Sequence, residues 1–154
     1  MASTDQHART LAFQSAANRV VRTLLRTPLL ARLVGSRLLT VYAVGRKTGK
    51  HYAVPVAYCR HEGALLFGTE FGWVRNLRTG EPVEIQLKGR RRTADVVVTT
   101  DEAGVVADYA ILARDNHQFA RFNRITLDAA GEPDPADLHR CWAAGARSVR
   151  LAPR

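Results

Sequence analysis

Two adjacent basic side chains are followed by a hydroxyl in the stretch GRKTGK, residues 45–50, which ends in a third basic residue and lies between two apolar runs. Arg46 and Lys47 supply positive charge, and Thr48 can donate a hydrogen bond. Gly45 and Gly49 allow the backbone to turn and to approach a ligand closely, so backbone amides also become available as donors. This combination suits a phosphate or a carboxylate, although a charged hairpin turn that is simply solvated has the same composition. We name this stretch the GRKTGK turn.

Other motifs of phosphate binding and catalysis are missing from the sequence. The two glycines of the GRKTGK turn are too close together for G-x-x-x-x-G-K-[ST], and a strand pattern follows instead of a helix, which excludes a nucleotide hydrolase of that type. Neither G-x-S-x-G nor H-E-x-x-H occurs, and the five histidines are scattered along the chain. Cys59 and Cys141 lack metal-binding spacing, so we expect buried reduced thiols, with neither a metal nor a disulfide. If the protein is an enzyme, a cofactor carries the chemistry.

The elements that must position the turn are mainly strands. The apolar runs LLTVYAV, YAVPVAYC and ALLFGTE predict neighbouring, largely buried strands, PVEIQLK and RRTADVVVTT predict a hairpin, and SVRLAP predicts a closing strand. Pro55 removes a ladder hydrogen bond and predicts an edge or a bulge. Helices are predicted over residues 101–114, after a break near Asn116, and from the capping residues Asp134 and Pro135 onward. Six short strands with inserted helices predict a small α+β protein built on a barrel.

The charge of the chain favours an anionic partner. Lysine and arginine number 23 against 14 acidic residues, for a formal charge of +9. We expect no nucleic-acid partner, because neither interleaved aromatic residues nor a known nucleic-acid-binding motif accompanies the basic residues. No apolar run is long enough to span a bilayer and no secretory signal is recognisable, so we expect a cytoplasmic protein.

Acidic residues are scarce in the N-terminal part of the chain, where Asp5 is the only acid in the first 40 residues, against six arginines. Residues 1–35 predict a basic amphipathic helical arm, ahead of one globular domain over residues 36–154. Two roles stay open for this arm. Its apolar face could contact the inner face of the membrane, or it could pack on the domain while its arginines are solvated.

The order of several short motifs resembles the deazaflavin (coenzyme F-420)-dependent nitroreductase family, the split β-barrel oxidoreductases of actinobacteria. The motifs extend over residues 38–98 and are VGRKTGK, VPVAY, ALLFGTE, GWVRNL and the hairpin VEIQLKGRRRTADVV. The family pattern is G-R-K-[ST]-G, then a proline in the next strand, a small-residue loop, W-x-x-N-L and a strand hairpin. The resemblance implies a split β-barrel of about six mainly antiparallel strands with flanking helices.

The resemblance also implies a cofactor and its contacts. The cofactor is coenzyme F-420, an 8-hydroxy-5-deazaflavin whose anionic phosphate and oligoglutamate tail would meet the GRKTGK turn. The residues implied as cofactor-binding are Arg46, Lys47, Thr48, Gly49, Val54, Pro55, Val56, Gly68, Thr69, Trp73 and Asn76. Trp73 could instead be a core anchor for its short helix, and Asn76 could cap that helix.

The reaction implied by the family is transfer of a hydride from reduced F-420 to an electron-poor acceptor such as a quinone, an enone or a nitro compound. The acceptor-pocket candidates are Tyr109, Asn116, His117, Phe119 and Phe122, with core packing as their alternative role. Two other interpretations stay open for the chain: the same barrel with FMN, or a peripheral membrane or lipid-binding protein without turnover. Split barrels of this kind often pair, so a homodimer is also a possibility.

Overall fold

The computed structural model describes residues 37–154, and the arm predicted for residues 1–35 lies outside the described residues. Seven strands and three α-helices follow one another along this part of the chain. The strands are β1 (Leu38–Val44), β2 (His51–Ala57), β3 (Cys59–His61), β4 (Ala64–Thr69), β5 (Val83–Leu87), β6 (Arg90–Thr99) and β7 (Arg147–Pro153). The helices are α1 (Glu102–Asp115), α2 (His117–Phe122) and α3 (Pro135–Ala143), and a short 3-10 helix covers Gly72–Asn76.

All strands join one antiparallel sheet in the order β2-β1-β5-β6-β7-β4-β3. The two edge strands, β2 and β3, are separated in sequence by Tyr58 alone. Because a single residue spans less than 4 Å, the two edges of the sheet meet at Tyr58, and the sheet must curl toward closure. The predicted α+β split barrel is confirmed.

Two details of the strand prediction were wrong. The strand β3 was missing from the predicted strands, and the turn that follows it is formed by Glu62 and Gly63, both with positive φ. The strand β2 was expected to be largely buried, yet it is half-exposed because it is an edge strand. Pro55 lies on this edge, as its missing amide hydrogen predicted.

The buried side chains form two clusters on opposite faces of the sheet. The inner cluster fills the curled sheet and includes Val41, Phe67 and Ile85, whereas the helix-side cluster lies under α1, α2 and α3 and includes Leu66 and Tyr109. The consecutive residues Leu66 and Phe67 belong to different clusters because side chains alternate across a strand.

The helices α1 and α3 begin at acidic capping residues, and the cap of α3 is the predicted one. Asp101 accepts a hydrogen bond from the amide of Gly104 at the start of α1, and Asp134 accepts one from Ala136 at the start of α3. A buried polar contact then fixes α1 to the sheet: the Asp108 carboxylate accepts hydrogen bonds from Ser148 Oγ at 2.6 Å and from Arg150 Nη2 at 2.9 Å. The orientation of α1 over β7 is therefore set by hydrogen bonds as well as by apolar packing.

Candidate functional site

The GRKTGK turn closes the hairpin between β1 and β2 and is held by its own backbone. The Gly45 amide donates to the Lys50 carbonyl at 2.7 Å, and the Gly49 amide donates to the Gly45 carbonyl at 2.8 Å. A Cβ on Gly45 would stand 2.9 Å from Thr48 Oγ1, and Gly49 has a φ of +66°, so both glycines are required by the turn. The tight conformation explains why two glycines bracket the basic residues.

Two amides at the tip of the GRKTGK turn keep their hydrogens available. Within residues 37–154, the backbone amides of Lys47 and Thr48 donate to no acceptor. The side chains of Arg46, Lys47 and Thr48 are exposed around them. Adjacent free amides, a hydroxyl and cationic groups form a donor set that fits a phosphate or carboxylate group. The residues present therefore fit the anionic part of an F-420 molecule.

Arg46 has two partners outside the turn. Its amide donates to Asn76 Oδ1 at 3.3 Å, and its Nη2 lies 2.6 Å from Glu81 Oε2. The turn is thus connected to the segment between the 3-10 helix and β5. Sequence reasoning missed Glu81, because a single acid in a loop gives no local signal of a partner 35 residues away.

Asn76 and Trp73 join the turn to the core. Asn76 Nδ2 donates to the Trp73 carbonyl at 3.0 Å, while its Oδ1 accepts from Arg46, so one side chain connects the 3-10 helix with the turn. The half-buried Trp73 ring stacks on Phe67, with centroids 6.0 Å apart and planes inclined by 13°. Trp73 packs against the inner cluster while part of its ring stays exposed.

The other proposed ring contacts lie on β2 and at the end of β4. Val56 packs against the inner cluster, and Val54 shares its face of β2 because strand side chains alternate. Thr69 Oγ1 accepts a hydrogen bond from the Phe71 amide at 3.1 Å and so turns the chain toward the 3-10 helix. Each of these residues is half-buried, so each has surface left for a ligand.

Gly68 is required by close packing against α1. A Cβ at this position would lie 2.5 Å from Tyr109 Cε1 and 3.0 Å from Tyr109 Cζ. Tyr109 is fully buried, and its hydroxyl has no hydrogen-bond partner within residues 37–154. Burial raises the pKa of this hydroxyl well above its ordinary value. The tyrosine therefore stays protonated and retains a hydrogen to donate.

The five acceptor-pocket candidates do not form one cluster. The rings of Tyr109 and Phe119 pack together with centroids 5.1 Å apart. Asn116 caps α2, since its Oδ1 accepts from the amides of Gln118 and Phe119. His117 is exposed, and Phe122 is 57% exposed although it is a large apolar residue. Phe119 and Phe122 stand three residues apart on one helix and thus share a face.

Trp73 and Tyr109 lie on opposite faces of β4. Trp73 stacks on Phe67, which points into the inner cluster, whereas Tyr109 packs against Gly68, the next residue along the strand. The cofactor-wall candidate and the acceptor candidate are therefore associated with different clusters, on opposite faces of the sheet.

Both cysteines are buried and free, as predicted. Burial raises the pKa of Cys59 to about 11 and also raises the pKa of Cys141, so both thiols stay protonated at neutral pH. Within residues 37–154, no three His, Cys, Asp or Glu side chains are placed to hold a metal ion. The same residues contain no helix that is long and apolar enough to cross a membrane.

Comparison with solved structures shows the fold. A pyridoxamine 5'-phosphate oxidase-related, FMN-binding protein from Nostoc punctiforme is similar over 88% of this chain and 79% of that chain, with 14% identity and a TM-score of 0.50. An F-420 reductase is similar over 80% of this chain and 92% of that chain, with 12% identity and a TM-score of 0.45. A protein of unknown function from Agrobacterium tumefaciens is similar over 77% of this chain, with 14% identity and a TM-score of 0.49, and this chain spans 48% of its length.

Comparison of sequences shows the family. No curated protein matches the chain significantly. The model of the F-420H(2)-dependent quinone reductase family matches residues 13–120, which include the GRKTGK turn, β1 to β6, α1 and most of α2. The expected dependence on F-420 is thereby confirmed, with FMN as the remaining alternative. The chain belongs to the F-420H(2)-dependent quinone reductase family and is an F-420-dependent oxidoreductase.

Proposed function

We propose that this protein reduces a quinone with a hydride from reduced F-420. The family supplies the class of reaction, and the free donors of the GRKTGK turn are the observation in this chain that carries the proposal. When bound, reduced F-420 supplies a hydride from carbon five of its deazaflavin ring. Enones and nitro compounds are the other electron-poor acceptors to be compared with quinones.

The GRKTGK turn would hold the anionic part of the cofactor. The amides of Lys47 and Thr48 would donate to a phosphate or carboxylate oxygen, and the exposed Lys47 ammonium would add charge. Val54, Pro55, Val56, Gly68 and Thr69 would lie along the ring. The stack of Trp73 on Phe67 gives that side of the proposed site a rigid aromatic surface, which limits the positions the ring can take.

The residues of α1 and α2 would receive the acceptor. Phe122 presents an exposed aromatic ring on the same helix face as Phe119, and Phe119 packs on Tyr109. Exposed aromatic surface suits a flat apolar acceptor such as a quinone. Tyr109 itself is fully buried, so its proposed role is to support the Phe119 ring and not to touch the acceptor.

Binding of the cofactor is tested by fluorescence titration of the purified full-length protein with oxidised F-420. The Lys47→Ala variant should bind about tenfold more weakly or worse, because one charge-assisted contact is lost. Arg90→Ala is the matched control, since Arg90 is an exposed cation at the start of β6, next to the hairpin turn between β5 and β6. Its affinity should stay unchanged. Equal losses in both variants, or binding of FMN without binding of F-420, would contradict the proposal.

The acceptor is tested by following oxidation of reduced F-420 with a benzoquinone, a cyclic enone and a nitroaromatic compound. We expect the highest kcat/KM for the quinone, and we expect Phe122→Ala to raise the KM for the quinone more than it lowers kcat. If only the nitroaromatic compound is reduced, the quinone proposal is wrong while the role of F-420 stands.

A further inference from the structure

The Arg46 side chain is already paired with a carboxylate of the same chain. Its Nη2 lies 2.6 Å from Glu81 Oε2, and the two side chains are 31% and 60% exposed. Glu81 therefore occupies a place on the guanidinium where an anionic ligand of the GRKTGK turn would also bind. Lys47, the next residue, has no such carboxylate partner within residues 37–154.

The backbone that carries Glu81 is held in place. The Gly80 amide donates to the Val96 carbonyl at 3.0 Å, and the Glu81 amide donates to the Arg78 carbonyl at 3.1 Å. Thr79 Oγ1 accepts from the Val98 amide at 2.9 Å. Two of these three bonds attach the loop to β6. The carboxylate is thus presented to Arg46 from a loop that is fixed to the sheet.

The Arg46 amide also has a partner within the protein, since it donates a hydrogen bond to Asn76 Oδ1. Both the amide and the side chain of Arg46 are therefore occupied, whereas the amides of Lys47 and Thr48 have no acceptor in the described part of the chain. The turn divides into an occupied half at Arg46 and an open half at Lys47 and Thr48. An anion with several charges can use the whole turn only if Glu81 releases Arg46.

We propose that Glu81 is an internal competitor that limits the affinity of the turn for anionic cofactors and releases Arg46 when the cofactor binds. This inference rests on the proposed binding of F-420 at the GRKTGK turn. An exposed ion pair contributes little to stability, so Glu81 can be displaced at small cost. Its negative charge also repels a second anion at the same guanidinium. A carboxylate that only oriented Arg46 for binding would have the opposite effect on affinity.

The test is the affinity for oxidised F-420, measured by fluorescence titration of full-length Glu81→Gln. We expect binding about two- to fivefold tighter than in the wild type, which corresponds to the loss of one exposed competing pair. Glu84→Gln is the matched control, because Glu84 pairs with Arg91 on the outer face of the sheet. Its affinity should stay unchanged. The gain in Glu81→Gln should shrink at high salt, which screens the competing charge.

A double variant shows whether the effect passes through Arg46. In an Arg46→Ala background, Glu81→Gln should give a clearly smaller gain, because the guanidinium that it frees is absent. This inference alone is overturned if the wild type binds F-420 but Glu81→Gln, with a native thermal transition, binds it equally or more weakly. Absence of F-420 binding by the wild type overturns the proposed function and this inference together.

Discussion

The GRKTGK turn and the packing around Tyr109 differ in how their polar groups are used. At the turn, side chains are exposed, and the amides of Lys47 and Thr48 donate to no acceptor among the residues that the structure describes. Around Tyr109, the buried Asp108 carboxylate accepts hydrogen bonds from Ser148 and Arg150. The close contact of Gly68 with the Tyr109 ring leaves no room for a methyl group. Substitutions at the turn should therefore alter ligand binding, whereas substitutions near Tyr109 should alter folding stability first.

The largest effect is expected for Asp108→Ala. The change leaves the buried Ser148 Oγ without its acceptor, whereas Arg150 is one-third exposed and keeps a contact with Glu62, so the free energy of unfolding should fall by roughly 2 to 4 kcal/mol. Urea denaturation measures this loss. Asp108→Asn keeps an oxygen that can accept from Ser148 and should lose clearly less. A loss below about 1 kcal/mol in the alanine variant would mean that α1 is held by apolar packing alone.

Alkaline pH should weaken the helix-side cluster through Cys59. Its pKa is raised by burial from 9.0 to about 11, so between these values the thiol ionises in the unfolded chain but not in the folded one. Stability is therefore fully present below pH 9 and falls as the pH rises toward 11, by at most about 3 kcal/mol from this group. Urea unfolding at pH 8 and pH 10.5 should show a steeper decline for the wild type than for Cys59→Ala. An equal fall in the free energy of unfolding for both proteins would show that groups other than the Cys59 thiol cause the loss of stability at alkaline pH.

Gly68→Ala should lower the free energy of unfolding by about 1 to 3 kcal/mol, because the new methyl group meets the Tyr109 ring in a packed interior. Gly72→Ala is the matched control, since a Cβ there has nothing within 4 Å. The losses from Gly68→Ala and Tyr109→Leu should be less than additive in the double variant, because both act on one contact. If the two losses of unfolding free energy add fully, the loss in Gly68→Ala does not come from its contact with Tyr109.

The smallest effect on stability is expected at the turn. Lys47→Ala removes an exposed side chain with no ion-pair partner within residues 37–154 and should change the free energy of unfolding by less than about 0.5 kcal/mol. The thermal transition and the F-420 titration should be measured on the same preparation. If Lys47→Ala lowered the free energy of unfolding by as much as it lowered the free energy of F-420 binding, the turn would not differ from the packing around Tyr109 in this respect.

The sequence predicted the local features of the fold well. The hairpin of β5 and β6, the start of α1 near Asp101, the cap at Asp134 and the edge position of Pro55 follow from short-range patterns of polarity, proline and capping residues. The free thiols of Cys59 and Cys141 were also expected to be buried.

The features that were missed depend on contacts between distant residues. Glu81 meets Arg46 only after the sheet has formed, and the place of β7 between β6 and β4 follows from how the sheet curls. The close approach of Gly68 to Tyr109 likewise has no local signature. Asn116 was named for the acceptor pocket, and its capping of α2 was visible only in the geometry of its Oδ1.

The central position of β7 has a consequence for how the chain folds during synthesis. β7 pairs with β6 on one side and with β4 on the other, and Leu65 faces Leu151 across this pairing. Until β7 is available, the strands β2-β1-β5-β6 and the hairpin β4-β3 have no ladder in common. The barrel can therefore close only after the ribosome has released its final strand, and pairings of such long range form slowly. Before β7 pairs, β4 and β6 present unpaired strand edges, which can pair with other chains. A nascent chain in this state is the kind of species that chaperones protect.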